Sequence, residues 1–199
     1  MNKILVAILA ILTMALKPIT DPLPIGAAIP HADQKMQSIL GRSVSFNDVK
    51  KTNGLLVMFS CNTCPVVKKY QLRTMEICKY AVGNNVGVIL LNSNEATRNS
   101  GDSFEDSKAY GQEQGYYFDY VMDNASAMAD AFGATRTPEV FLFNKEGKLV
   151  YHGAIDDNSG NAAEVTRKHA QFAIDEMVAG NPISVQETKF VGCGIKRIK

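Results

Sequence analysis

The residues best placed to do chemistry in this chain are two cysteines separated by two residues, Cys61-Asn62-Thr63-Cys64. That spacing lets the second sulfur reach the first. One thiolate can then attack a disulfide, and its neighbour can resolve the mixed disulfide that results. Pro65 follows directly, and proline fits the first turn of a helix, where its missing N–H costs little. At a helix start, free N–H groups and the positive end of the dipole stabilise an anion. A thiolate there is expected to have a lowered pKa and, at Cys61, to be exposed for attack. Two other readings of the pair stay open. It is half of a zinc site, although no second C-x-x-C and no Cys/His pair of ligand spacing follows. Or it is an inert structural disulfide. The remaining cysteines are Cys78 and Cys193.

The elements around the pair can be read from hydrophobic pattern. Leu55 to Phe59 is a continuous apolar run after the turn signal Thr52-Asn53-Gly54, as expected of a strand buried on both faces. A helix follows from about Cys64 to Val82, with Val67, Tyr70, Thr74, Ile77, Cys78 and Ala81 at three- and four-residue spacing. Cys78 thus falls on an apolar face, where a free cysteine behaves as a small hydrophobe. Val86 to Leu91 is a second buried strand. Asp102 with Glu105 resembles a helix start, and that helix runs to Gln114. Phe118 to Met122 is a short strand, and Asn124 caps a helix that ends at Gly133. Glu139 to Phe143 and Leu149 to His152 read as a hairpin, and Ala162 to Ala179 as a last helix. A short hairpin, Met36 to Leu40 with Ser43 to Phe46, precedes them all. Alternation followed by a hairpin predicts an α/β fold: a mixed central sheet flanked by helices on both faces.

The N-terminus reads differently. Lys3 precedes an apolar run, Ile4 to Leu16, broken only by Thr13. A helix of that length spans about 20 Å, against a hydrocarbon core of about 30 Å. The pattern is that of a secretory signal peptide, with an uncleaved anchor as the alternative. The expected organisation is a signal over residues 1–20, a proline-rich linker over 21–34, a domain over 35–182 and a C-terminal tail over 183–199. Secretion or a periplasmic location follows, possible tethering by the uncleaved segment included. The formal net charge is +1 with no basic stripe, so nucleic acid is not an expected partner. Oligomeric state is not legible.

A second feature is Thr137-Pro138, directly before the strand from Glu139. Proline is tolerated at a strand start, and an X-Pro bond is the usual site of a cis peptide. His31, His152 and His169 are isolated in sequence and read as surface or structural. Asp156-Asp157-Asn158 has no downstream glutamate to complete a calcium loop. No metal ligand set and no cofactor are expected.

Together, C-x-x-C after a buried strand and Thr-Pro before a terminal hairpin resemble the thioredoxin superfamily. The likeness sharpens at Phe59 to Pro65, Asn92-Ser93-Asn94, Gly133 to Phe143, Asp156 to Asn158 and Gly192 to Lys196. That set is similar to a peroxiredoxin-like subgroup, related to the redoxin and TlpA-type branches. The resemblance implies a thioredoxin-like fold, Cys61 as nucleophile, Cys64 as resolving cysteine, and a cis Pro138 facing them. The backbone beside such a proline offers edge hydrogen bonds to an extended substrate. There are departures. Ser60 stands where thioredoxins carry tryptophan, and Met58 is the nearest equivalent of their buried aspartate. Relative to Cys64, Cys61 occupies the place of the peroxiredoxin threonine. Arg136 is a candidate to face the thiolate, as an arginine does in peroxiredoxins. Cys193 is a candidate further redox thiol, expected at the surface on a tail that folds back, with Gly192 and Gly194 lending it mobility.

The expected function is thiol–disulfide exchange outside the cytoplasm, with protein thiols or disulfides as substrates and an upstream thiol reductant. Two alternatives are a thiol peroxidase acting on peroxide and, less favoured, a copper-binding module. Soft thiolates suit copper(I), but no histidine lies beside Thr137-Pro138.

Overall fold

In the computed structural model, residues 21–198 are described. The expected signal segment, 1–20, lies outside them. Among the described residues, nine strands and five α-helices follow one another: β1 (Met36–Gln37), β2 (Ser43–Val44), α1 (Phe46–Val49), β3 (Gly54–Ser60), α2 (Pro65–Gly83), β4 (Val86–Asn92), α3 (Phe104–Glu113), β5 (Asp119–Met122), α4 (Ala127–Phe132), β6 (Arg136–Thr137), β7 (Glu139–Asn144), β8 (Leu149–Gly153), α5 (His169–Val178) and β9 (Cys193–Gly194).

The central sheet has the order β5-β4-β3-β7-β8. β3, β4 and β5 run parallel, while β7 is antiparallel to both β3 and β8. β3 is central, and every one of its residues is buried, as its unbroken apolar run requires. Its side chains alternate between two cores. Leu56 and Met58 join Tyr70, Ile77, Cys78 and Ala81 of α2 and Ala173 and Ile174 of α5. Leu55, Val57 and Phe59 join Phe46 of α1 and Met128, Ala129 and Phe132 of α4. Each of the larger aliphatic, Met and Phe side chains among them contributes about 1.5–3 kcal/mol on removal from water. Phe132 anchors the second core, edge-on to Phe59, Phe141 and Phe143 with ring centroids 5.3–5.8 Å apart. Gly133, left-handed at φ 63°, ends α4.

Three expectations are corrected. The helix after Asp102 is capped by Ser103, in a capping box with Asp106, which frees the Asp102 carboxylate for another task. The last helix is half the expected length: Ala162–Glu164 form one 3-10 turn, and α5 begins only at His169. The stretch 21–34 is packed rather than free. Leu23 N–H donates to Phe132 O at 2.9 Å, Gly26 N–H donates to Leu149 O at 2.8 Å, and Ile29 is buried in the second core.

The tail does fold back. His152 N–H donates to Gln186 O (2.8 Å) and Thr188 N–H to His152 O (3.1 Å), covering the open edge of β8. It ends as β9 beside β6, forming a separate two-stranded ladder with Arg136 opposite Gly194 and Thr137 opposite Cys193.

Candidate active site

Strand β3 ends at Ser60, and α2 begins at Pro65, so the loop between them is the Cys-Asn-Thr-Cys segment itself. Cys64 is the N-cap residue of α2. Across from this loop, the Thr137–Pro138 peptide is cis. Cys61 Sγ lies 3.2 Å from Thr137 Oγ1, and Cys64 Sγ lies 3.4 Å from Thr137 O. Thr137 therefore touches both sulfurs.

The bond in the site is not the one expected from spacing. Cys64 is disulfide-bonded to Cys193, with Cα atoms 6.0 Å apart, while Cys61 and Cys78 are free thiols. Nor is Cys61 exposed: it is wholly buried, and Cys64 is nearly so. Burial pushes the Cys61 thiol up, against the expected lowering. The Thr137 hydroxyl and the N–H groups of Cys64 and Thr63 pull the other way, as a helix start should, but the Asp102 carboxylate adds to the rise. Cys193 is half-buried rather than a free surface thiol. Gly192 is not there for mobility: a Cβ at that position would overlap the Thr137 carbonyl, so glycine permits the close approach of β9. Arg136 is exposed and does not serve the sulfurs. Its Nη1 donates to Gly192 O at 3.0 Å, clamping the tail.

Two carboxylates missed by sequence reasoning organise the site. The buried Asp102 accepts from Asn62 N–H (2.8 Å), Thr63 Oγ1 (2.8 Å), Thr97 Oγ1 (2.8 Å), Asn92 Nδ2 (3.1 Å) and Asn94 Nδ2 (3.2 Å). Burial alone would raise its pKa, but these hydrogen bonds outweigh it and hold the carboxyl below its ordinary value. Asn62 is equally fixed: its Oδ1 accepts from Tyr120 Oη at 2.9 Å, and its Nδ2 donates to Gly101 O at 2.9 Å and to Ser107 Oγ at 3.1 Å. On the other side, the buried Glu139 accepts from the N–H groups of Thr135 (2.8 Å) and Arg136 (3.0 Å) and pairs with His152 Nε2 (2.8 Å). It thereby holds the loop that presents Thr137. Both networks draw on runs quoted for family likeness, Asn92-Ser93-Asn94 beside Asp102 and Gly133 to Phe143 around Glu139, but neither run announces the role of its carboxylate.

Cys78 is fully buried in α2, where burial pushes its thiol up. Met58 is core. Among the described residues no group of three or more His, Cys, Asp or Glu side chains is placed to hold a metal ion, and no helix is long and apolar enough to cross a membrane.

A mixed sheet sandwiched between helices, with two cysteines at a strand–helix junction, defines a thioredoxin-like fold. More narrowly, residues 25–152 match the AhpC/TSA family, and the chain belongs to that family. Among solved structures, an uncharacterized conserved protein from Geobacillus kaustophilus is 31% identical, with 88% of this chain and 93% of that one covered and a TM-score of 0.81. A hypothetical protein from Sinorhizobium meliloti is 30% identical over 92% of this chain and 99% of that one, also at a TM-score of 0.81. The thioredoxin domain of a thiol-disulfide oxidoreductase from Bacteroides vulgatus shares the fold at 22% identity, covering 65% of this chain and 88% of that one with a TM-score of 0.53. No curated protein matches the chain.

Proposed function

We propose that this protein is a thiol–disulfide oxidoreductase of an extracytoplasmic compartment, working through the Cys61–Cys64 dithiol. The observation that carries the reading is the meeting of both sulfurs on Thr137 at the head of α2, beside the cis-proline. In the reduced protein, one thiolate attacks a substrate disulfide and the neighbouring thiol displaces the product. Protein thiols or disulfides are the substrates, and an upstream thiol reductant resets the pair. The compartment rests on the Lys3 and Ile4–Leu16 pattern.

A second reading, thiol peroxidase, is favoured by one specific observation. Cys64 stands three residues after Cys61, where peroxiredoxins place threonine and then their reactive cysteine, and it is Cys64 that carries the disulfide to Cys193. The experiment that tests the first reading gives one reduced sample a peptide disulfide and, separately, hydrogen peroxide, following thiol consumption in each. Faster turnover of the peptide disulfide, lost in Cys61→Ser, is the expected result. Peroxide turnover that survives Cys61→Ser, with no peptide exchange, overturns it in favour of the second.

A further inference from the structure

The dithiol reading leaves one thiol in reserve and one sulfur with two suitors. Cys61, Cys64 and Cys193 pack as one cluster with Val66 and Val67, and all three converge on Thr137. Cys61 touches its hydroxyl, Cys64 its carbonyl, and Cys193 is its partner across the β6–β9 ladder. The tail takes the course that an extended peptide would follow along the backbone before the cis-proline. Ile195 N–H donates to Thr135 O at 3.0 Å, Arg136 Nη1 holds Gly192 O, and Gly192 is pressed against the Thr137 carbonyl. Beyond it, Lys196 N–H donates to Asn94 Oδ1 (2.9 Å), and Arg197 Nη2 donates to Ala134 O (2.7 Å).

We propose, building on the dithiol reading, that Cys193 is a third redox cysteine and that β9 is an internal stand-in for substrate. Cys64 is the sulfur shared between two disulfides. The Cys61 thiol loses its proton to water, and its thiolate attacks Cys64 Sγ. The Cys61–Cys64 bond forms as the Cys64–Cys193 bond breaks, and Cys193 leaves as a thiolate that takes a proton back from water. No electrons enter or leave the protein, so the step is an isomerisation of one disulfide into another. Cys193 is the most solvent-reached of the three sulfur-bearing residues, which suits a leaving thiolate. Once its bond is gone, β9 is held only by hydrogen bonds. The edge at Thr135–Thr137 then opens to an extended peptide whose own cysteine takes the place of Cys193.

The test equilibrates the full chain in glutathione buffers of stepped oxidation, quenches with acid, alkylates free thiols and maps the disulfides by mass spectrometry. Amide hydrogen exchange over residues 191–197 is read on the same samples. Wild type is expected to hold both isomers, with exchange over 191–197 at least about tenfold faster where Cys61–Cys64 is the bond present. Cys61→Ser should hold only Cys64–Cys193, and Cys193→Ser only Cys61–Cys64. If wild type keeps Cys61 reduced at every step while Cys193→Ser still forms Cys61–Cys64, the relay is wrong and the dithiol reading stands. If Cys193→Ser never forms Cys61–Cys64 either, the dithiol reading falls and takes the relay with it. If both isomers form but residues 191–197 stay equally protected, β9 is not a releasable occupant of the edge. The wild-type map alone decides the first point should a variant fail to fold.

Discussion

Helix α2 carries a cysteine at its head and another four turns further on, and the two are buried to much the same degree. At Cys64 the neighbours are a sulfur, a backbone carbonyl and the end of a strand, while at Cys78 they are the side chains of the core. Burial therefore does not separate the disulfide-bonded cysteine from the free one here. What separates them is whether the surroundings supply a partner: polar groups of fixed position at the head, none at the middle. The head is also held from outside the helix, by Asp102 on one side and Glu139 behind the facing loop.

The sharpest way to break this contrast is to exchange the two fates. Cys64→Ser should lower peptide-disulfide turnover by roughly three orders of magnitude, whereas Cys78→Ala should leave it within about twofold. Steady-state assays on both variants decide it, and a comparable loss in Cys78→Ala would dissolve the distinction. Next in size come the two carboxylates. Glu139→Leu leaves the buried His152 ring without its partner and takes the acceptor from two loop N–H groups, and Asp102→Leu takes the acceptor from five donors, of which those of Asn62, Asn92 and Asn94 are on buried residues. Each should cost about 3–5 kcal/mol in urea unfolding, with no change of midpoint refuting the networks.

Asp102 also fixes the sign of a pH effect. Its carboxyl sits below the ordinary value when folded, so the stability it supplies is complete above the unfolded carboxylate range, about 4, and is lost as pH falls through the folded value. The stability gap between wild type and Asp102→Asn should therefore narrow as pH is lowered from 6 toward about 3. A gap that widens on acidification contradicts the assignment.

Smaller still is the packing term of the middle cysteine. Cys78→Ala removes one buried sulfur and should cost about 1–2 kcal/mol, visible as a few degrees in Tm. The smallest effect is on reactivity. In the form that carries the Cys64–Cys193 bond, iodoacetamide should modify Cys61 more slowly than an unburied thiol and faster as pH rises, since burial holds the thiol up. Labelling at the rate of a free cysteine at neutral pH would mean the pocket is open.

Much of this architecture was legible because the signals were local. The Leu55–Phe59 run, the α2 stripe and the Gly133 stop each depend on residues close in sequence, and each element formed within a residue or two of its expected place. The site was legible as far as its strand–helix junction and its Thr-Pro. What lay beyond reach were pairings across long separations. Nothing near Cys193 points to Cys64, and nothing near Asp102 points to Asn62, forty residues away. Asp102 was misread because its neighbour Ser103 caps the same helix, and a one-residue shift turns a cap into a clamp. The expectation of a lowered Cys61 pKa weighed the helix start correctly in kind. It omitted the desolvation that only a folded tail and loop impose.

The Cys64–Cys193 bond joins residues 129 apart. On chain-entropy grounds, a cross-link over that span disfavours the unfolded state by about 4–5 kcal/mol. Thermodynamic linkage makes the same quantity available in reverse: folding must raise the effective molarity of one thiol at the other by about three orders of magnitude. Ambient redox poise and conformational stability are then conjugate variables of a single cycle. A melting temperature titrated against a dithiol buffer would serve as an equilibrium electrode for this bond.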